Sequence, residues 1–427
     1  MPIKITTQFE TGELDLSGCC ENLKCEEKTA LKEFWRFMLN NKSTPWKEVE
    51  SDPVAAIDTS SDKKENNPDE SIEVYEGCTY GQTVEDKLKK DGKVGKQDKI
   101  VPTEYETLRL DDSFGEAFWS VIREDNPDVL FLRFLRARKW DLERAKKMGA
   151  AAVKWRIHDN VEEIIWYGES KNEASLMAKG VSFVHGADRL GHPIIWSPSS
   201  SHHQRDQPFG SMKRYLIWMM ETSRQLLRKP IEKVCLIMDL TGHSNSNMDW
   251  PFVKMFVKIL ESYYPECLAL CIVYNGPWWF SGVYKMIAPL LDPVVAAKIQ
   301  FAKNVDGLKQ FIDEDQILTS RGGKNVYEFK YVPPTVDENA AMADLVGRKK
   351  AVAKWREAKN EVERLTEKWI VANNDDSELE QQRLDSIKEY VKASVDLDKY
   401  TRARHMYHRI GALKNEVLDW SELQKAK

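Results

Sequence analysis

KVCLIMDLTGHSNSNMDWPFVKMFVKILESYYPECLALCIVY, residues 233–274, is the stretch on which the fold turns. Lys233–Leu240 carries an unbroken β-type run ended by Thr241-Gly242. Asp249 then opens a helix in which Phe252, Met255, Phe256, Ile259, Leu260 and Tyr263 recur at i, i+3, i+4 and i+7. Cys267–Tyr274 is a second uninterrupted apolar strand. Strand, helix and strand, with both strands apolar throughout, predict a βαβ unit in a parallel sheet covered on both faces. The core is expected to be α/β.

The chain that follows is greasier still. Cys267 to Tyr284 is 18 residues without a charge, long enough by count to span a membrane. Asn275-Gly276-Pro277 breaks it, and the apolar run before the break is strand-sized. A transmembrane helix is therefore not expected. Trp278, Trp279, Phe280, Val283, Met286, Ile287, Leu290 and Leu291 then form an apolar segment that Pro289 and Pro293 cut into hinged pieces. A lone acid, Glu266, precedes this region and a lone lysine, Lys298, closes it. An apolar cavity with few polar groups at its mouth suits an amphiphile. Each buried CH₂ contributes about 0.8 kcal/mol, so a two-chain lipid resists leaving a bilayer by roughly 20 kcal/mol or more. A carrier must replace that environment nearly completely and then reopen, which calls for a lid. An ordinary buried helix after a strand fits the same pattern.

Outward from this centre, Glu27–Asn40 places Leu31, Phe34, Trp35 and Met38 at helical spacing. Residues 51–104 turn to Asp, Lys, Asn, Ser and Gly and are expected to be a disordered linker, too poor in apolar side chains to offset their ordering entropy. Asp128–Trp140 and Leu142–Ile157 read as helices, with Asp141 capping the second. Val181–His185 and Pro193–Trp196 are short β-type runs, and Met212, Tyr215, Leu216, Met219, Leu226 and Leu227 mark a buried-face helix. After Pro334, Leu345, Val352, Trp355, Val362, Leu365 and Trp369 form a stripe among many charges. Asn373-Asn374-Asp375-Asp376 breaks that stripe, and Ile387, Tyr390, Met406, Ile410, Leu413, Val417 and Trp420 continue in the same style. This is the pattern of a charged helical hairpin or small bundle packing on the core.

Several chemistries are excluded. The 427 residues are 42% hydrophobic and 31% charged with a net charge of −5, which argues against a nucleic-acid binder. The seven cysteines lack metal-ligand spacing. MPIKITTQFE has no apolar signal region, and a reducing cytoplasm is the simplest setting for the thiols. There is no Gly-rich phosphate loop, G-x-S-x-G, H-E-x-x-H or C-x-x-C. His185, His192, His202, His203 and His243 read as surface loop residues rather than ligands, and Asp239 as a carboxylate that satisfies the turn through Gly242. No catalytic constellation, cofactor or metal site is expected. Arg133, Arg136, Arg138 and Lys139 form a basic group that serves as a solvated face or, with Lys298, as phosphate donors.

LRFLRARKWD (132–141), IMDLTG (237–242), YYPE (263–266), NGPWWF (275–280), LLDPVVAAKI (290–299) and RGG (321–323) stand in this order. Together they resemble the CRAL-TRIO lipid-binding family, most closely its fungal phosphatidylinositol transfer proteins. The resemblance covers roughly Asp111 to Tyr327, with Leu31–Met38 similar to the family's first helix. It implies an N-terminal amphipathic helix region (1–50), the linker (51–104), a helical subdomain (105–165), an α/β lipid-binding lobe with a gated hydrophobic pocket (166–332) and a charged helical extension (333–427). It also implies a headgroup site at Arg138, Lys139, Glu266 and Lys298, with the cations facing the phosphodiester and Glu266 accepting from inositol hydroxyls. Val234, Leu236 and Ile195 stand where relatives that also carry phosphatidylcholine use hydroxyl side chains, and Cys267 and Val295 replace a basic residue and a threonine. A choline lipid would lose its phosphate hydrogen bonds here.

Three functions are expected from this reading. One is a non-enzymatic phosphatidylinositol transfer protein, cytoplasmic and touching intracellular membranes transiently. A second is a binder of squalene- or sterol-like cargo. A third is a scaffold that recruits a protein through residues 340–420.

Overall fold

The structure, a computed structural model, describes residues 8–9, 11–20, 22–53, 81–227, 230–372, 376–414 and 417–420. Helices α1 (Cys25–Asn40), α2 (Val84–Lys90), α3 (Phe114–Ile122), α4 (Pro127–Ala137), α5 (Leu142–His158), α6 (Val161–Tyr167) and α7 (Ala174–Lys179) form an N-terminal helical layer. The expected stripe of α1 is buried throughout, and Phe34 stacks on Phe131 of α4 at 4.4 Å. Asp141 caps α5 as expected, accepting from the Arg144 N–H at 3.1 Å.

The expectation of disorder over 51–104 is corrected in its second half; residues 54–80 lie outside the described residues. Thr83 caps α2, and Val84, Leu88, Val94, Ile100 and Val101 are buried. The segment is tied down by backbone bonds from Val84 N–H to Asn172 O and from Ala174 N–H to Gln82 O, at 2.9 and 2.8 Å. Apolar residues this sparse cannot make a core alone, but they can cover one that other helices have already built.

The α/β lobe follows: β1 (Phe183–Ala187), β2 (Pro193–Pro198), α8 (Phe209–Gln225), β3 (Val234–Asp239), α9 (Trp250–Ser262), β4 (Leu268–Tyr274), α10 (Phe280–Ile287), α11 (Pro293–Ala297), β5 (Ile299–Ala302) and α12 (Val305–Leu308). The sheet runs in chain order from β1 to β5, antiparallel between β1 and β2 and parallel thereafter. The βαβ unit expected at 233–274 is its centre. Because side chains alternate along a strand, register sorts them into two faces. Ile194, Cys235 and Leu270 share one row and Trp196, Ile237 and Ile272 the next, all in a core closed by Leu308, Phe311, Ile312 and Ile317. Ile195, Leu236, Cys271 and Ile299 align on the opposite face.

Helices α13 (Leu345–Val371) and α14 (Ser377–Thr401) pack along one another and against α1, giving the expected hairpin. Residues 373–375 of the expected break lie outside the described residues. The stripe Trp355, Val362, Leu365, Trp369, Ile387 and Tyr390 is buried within the chain. Arg383 of α14 donates to both oxygens of Asp128 at 2.8 and 2.6 Å, and Trp35 Nε1–H donates to the same carboxylate at 2.6 Å. The hairpin is thus riveted to α1 and α4 rather than appended to them. Removing one partner of a buried pair strands the other's charge, at a cost of roughly 3–5 kcal/mol. Arg383→Leu is expected to lower unfolding stability by about that much in a urea titration at neutral pH, with Asp128→Asn in the same chain restoring part of it.

Candidate lipid-binding site

Opposite the solid core, the second face of the sheet borders a cavity of about 220 Å³. Its floor is Ile195, Val234, Leu236, Met238, Cys271 and Val273, and α9 closes one side with Phe252, Phe256 and Leu260. The other side is the segment after the Gly276-Pro277 turn. Phe280, Tyr284, Ile287 and Leu291 face inward, followed by Val295 of α11. Phe280 and Val283 are buried, whereas Trp278 is 90% and Met286 56% exposed. Trp279 is half-buried against His243, and the Leu290 side chain lies outside the described residues. The segment is therefore an amphipathic cover, not an ordinary buried helix. Two of its expected apolar residues face the outer surface: Trp278 in the turn before α10, and Met286 on α10, which turns only one stripe inward. Tyr284 joins that stripe; its spacing of four from Phe280 was the sequence signal for it.

The charged residues gather at the N-terminal ends of the strands. Glu266, in a left-handed conformation (φ 56°), holds Lys298 Nζ at 3.3 Å and Lys233 Nζ at 3.7 Å. Burial opposes ionisation of Glu266, but Lys298, Lys233 and Arg136 outweigh it and keep the carboxyl below its ordinary value. Burial pulls Lys298 below the usual ammonium value despite the attraction of Glu266. Neither side chain lines the cavity; their neighbours Cys267, Val295 and Ile299 do. Lys233 was not singled out from sequence. The pairing of Val234 with Leu268 places it beside the YYPE loop, a juxtaposition that only strand register supplies.

The basic group divides. Arg133 is buried and structural, donating to Glu232 O at 2.9 Å and to Cys267 Sγ at 3.4 Å. Arg136 donates to Gly18 O at 2.7 Å and pairs with Glu232 at 3.2 Å. Arg138 ends α4 and exerts its field on Glu261, while Lys139 is exposed with φ 52°. The structure brings Glu266 and Lys298 together and leaves Arg138 and Lys139 outside their immediate contacts.

A second polar cluster holds the lobe to the helical layer. Arg156 of α5 donates to both oxygens of Glu221 on α8 at 2.7 and 3.0 Å. Tyr264 O–H donates to the same carboxylate, and Arg224 bridges Glu221 and Asp125 at 3.1 and 2.7 Å. Burial would raise the Glu221 pKa, but Arg156 and Arg224 hold it well below the carboxylate range. The histidine expectation is also corrected: His185, His192 and His202 are buried. Each has a polar partner, Asn325 at 3.3 Å, Asp188 at 2.9 Å and Asp249 at 2.9 Å respectively. Asp239 accepts from the Thr241 N–H at 3.0 Å and pairs with Arg321, so the turn closes through Thr241 rather than Gly242. Among the described residues no cluster of His, Cys, Asp and Glu fit to hold a metal occurs, and no helix is long and apolar enough to cross a membrane.

The family model of the CRAL/TRIO domain matches residues 177–323, and that of the CRAL/TRIO N-terminal domain matches residues 82–148. A CRAL-TRIO domain-containing protein of Schizosaccharomyces pombe is 37% identical over 301 residues, 69% of this chain and 68% of that protein. The chain belongs to the CRAL-TRIO family. A second relative of this CRAL-TRIO protein, from Eremothecium gossypii, is named phosphatidylinositol transfer protein CSR1; it is 33% identical over 83% of this chain and 84% of its own length. The SEC14 cytosolic factor of Yarrowia lipolytica is 31% identical over 40% of this chain and 38% of its own. The family is one of lipid-binding and transfer proteins, which accounts for the apolar cavity. The N-terminal match begins at residue 82, in agreement with the ordered segment found there.

Because the folded-state pKa of Glu221 is depressed, its stabilisation is complete above the unfolded carboxylate range near ~4.3 and is lost as pH falls below it. Urea midpoints are expected to stay level from neutral pH to about 5 and to fall below that. Glu221→Gln should cost about 3 kcal/mol at pH 7 and flatten the acid limb of the profile.

Proposed function

We propose that this CRAL-TRIO protein is a non-enzymatic carrier that extracts phosphatidylinositol from one membrane and releases it at another. The observation that carries the reading is the Glu266–Lys298 pair, with Lys233 beside it, at one end of a cavity whose walls are apolar. Acyl chains gain in that cavity what they lose on leaving a bilayer. At the mouth, an inositol ring offers hydroxyl donors to Glu266, and the phosphodiester offers an anion to the lysines. Without a headgroup the three side chains satisfy one another, so no charge is left buried alone. Arg138 and Lys139, outside the contacts of this pair, would meet the phosphate as a headgroup enters. The apolar floor residues Ile195, Val234 and Leu236 offer a choline lipid's phosphate no donors. Trp278 and Met286, apolar on the outer surface of the cover, suit contact with the interfacial region of a membrane. The relative named as a phosphatidylinositol transfer protein supports the same assignment.

The test is extraction of labelled phosphatidylinositol from vesicles. Lys298→Ala and Glu266→Gln are each expected to reduce transfer by about tenfold or more, as loss of a charge-assisted hydrogen bond implies. Failure of the folded wild-type protein to extract any phosphatidylinositol would sink the reading. Trp278→Ala with Met286→Ala is expected to slow transfer severalfold while the amount of lipid bound at equilibrium stays the same.

A further inference from the structure

The cavity has a second polar end, some 20 Å from the first by strand length. Glu266, Lys233 and Lys298 precede β4, β3 and β5, whereas His243 lies just beyond the C-terminal end of β3. His243 lines the cavity and lies against the cover, its ring 5.6 Å from Trp279 and 6.5 Å from Phe280. Its Nε2 is buried and has no hydrogen-bond partner. Among the described residues lining the cavity, it is the one buried side-chain nitrogen or oxygen in that condition. The other polar groups at this end are occupied. His202 lies between Asp249 at 2.9 Å and Gln207 at 3.0 Å. Asn247 donates to His202 O at 2.8 Å and accepts from the Ser244 N–H at 2.9 Å.

Ser199 decides what the open nitrogen can do. Its hydroxyl donates to the Asp239 carbonyl at 3.1 Å, and the same oxygen is 2.9 Å from His243 Nδ1. A hydroxyl has one proton to give. The Asp239 carbonyl can only accept, whereas either partner can donate in the Ser199–His243 contact; with the hydroxyl proton assigned to Asp239 O, Nδ1–H donates to Ser199. The neutral imidazole then presents Nε2 to the cavity as a bare lone pair, an acceptor and not a donor.

We infer that His243 Nε2 is the anchor for a lipid alcohol: an uncharged, elongated apolar cargo whose single hydroxyl donates to it while the hydrocarbon body lies along the Leu236–Cys271 row. A carboxylate or ketone brings only acceptors to this nitrogen, and a hydrocarbon leaves it unpaired. An ammonium group would be buried without a free counter-charge, since Asp249 is engaged by His202. Trp279 and Phe280 of the cover pack against the His243 ring, and its Nε2 atom is buried beneath them. This inference rests on the cavity being a lipid site, and not on the inositol headgroup reading.

The test compares probes alike except at one end, presented from vesicles to the full chain. The sterol set is cholesterol, 5-cholestene and 5-cholesten-3-one; the chain set is octadecanol and octadecane, and the two sets distinguish a rigid from a flexible alcohol. The wild-type protein is expected to bind an alcohol about tenfold more tightly than its hydrocarbon counterpart, and cholesterol about tenfold more tightly than the ketone. His243→Phe keeps the ring against Trp279 but removes the acceptor. It should bind the hydrocarbon as the wild type does, which also shows that the cavity is folded, and should lose the preference for the alcohol. In Ser199→Ala the tautomer is no longer fixed, Nε2–H becomes available, and discrimination against the ketone should shrink. Equal binding of alcohol and hydrocarbon by the wild type, an undiminished preference in His243→Phe, or a ketone bound as well as the alcohol would each overturn the inference. Phosphatidylinositol transfer is a separate measurement whose failure leaves these outcomes untouched.

Discussion

A single strand property supports the whole site: β3 and β4 are apolar on both faces. Cys235, Ile237, Leu270 and Ile272 have no exposed surface, and close packing on that side holds the strands in register. The other face can then stay partly uncovered without the sheet yielding. Filling both faces with packed helices would leave no room for cargo, and leaving both open would leave no fold.

The helical layer and the C-terminal hairpin brace this asymmetric sheet on its cavity side, through α8. Glu221, Arg156, Arg224 and Tyr264 join α8 to α5 beside the cavity, and Asp398 of α14 accepts from Gln225 of α8 at 3.0 Å. Arg383 joins the hairpin to α4. Each of these buried ions has an opposite charge and further hydrogen bonds, the condition under which burial of charge is tolerated. The cover, by contrast, is held by a small apolar cluster around Leu240, Val273, Phe280 and Val283. Buried ion pairs fix the frame, whereas the cover is held by apolar contact.

The polarity of a parallel sheet also orders the chemistry. Loops preceding β3, β4 and β5 carry the acid and the lysines, whereas loops following β2 and β3 carry Ser199 and His243. The intervening strand length is apolar on the cavity side. The two ends of the sheet therefore differ in chemistry, with charge at one and a histidine at the other.

Much of this was legible in the chain. Unbroken apolar runs and i, i+3, i+4 spacing determined the βαβ centre, the α1 stripe and the hairpin, because those patterns report which faces a single element buries. Glu266 and Lys298 were visible as isolated charges in a greasy stretch. Tertiary structure alone decided the rest. The order of residues 81–104 depends on a surface built by distant helices. Lys233 reaches Glu266 only through the pairing of β3 with β4. The outward turn of Trp278, the buried histidine pairs and the unpartnered Nε2 of His243 depend likewise on partners far away in sequence. Periodicity states that a residue faces inward; what it meets there is fixed by strand register and packing between elements, which no single stretch of sequence contains.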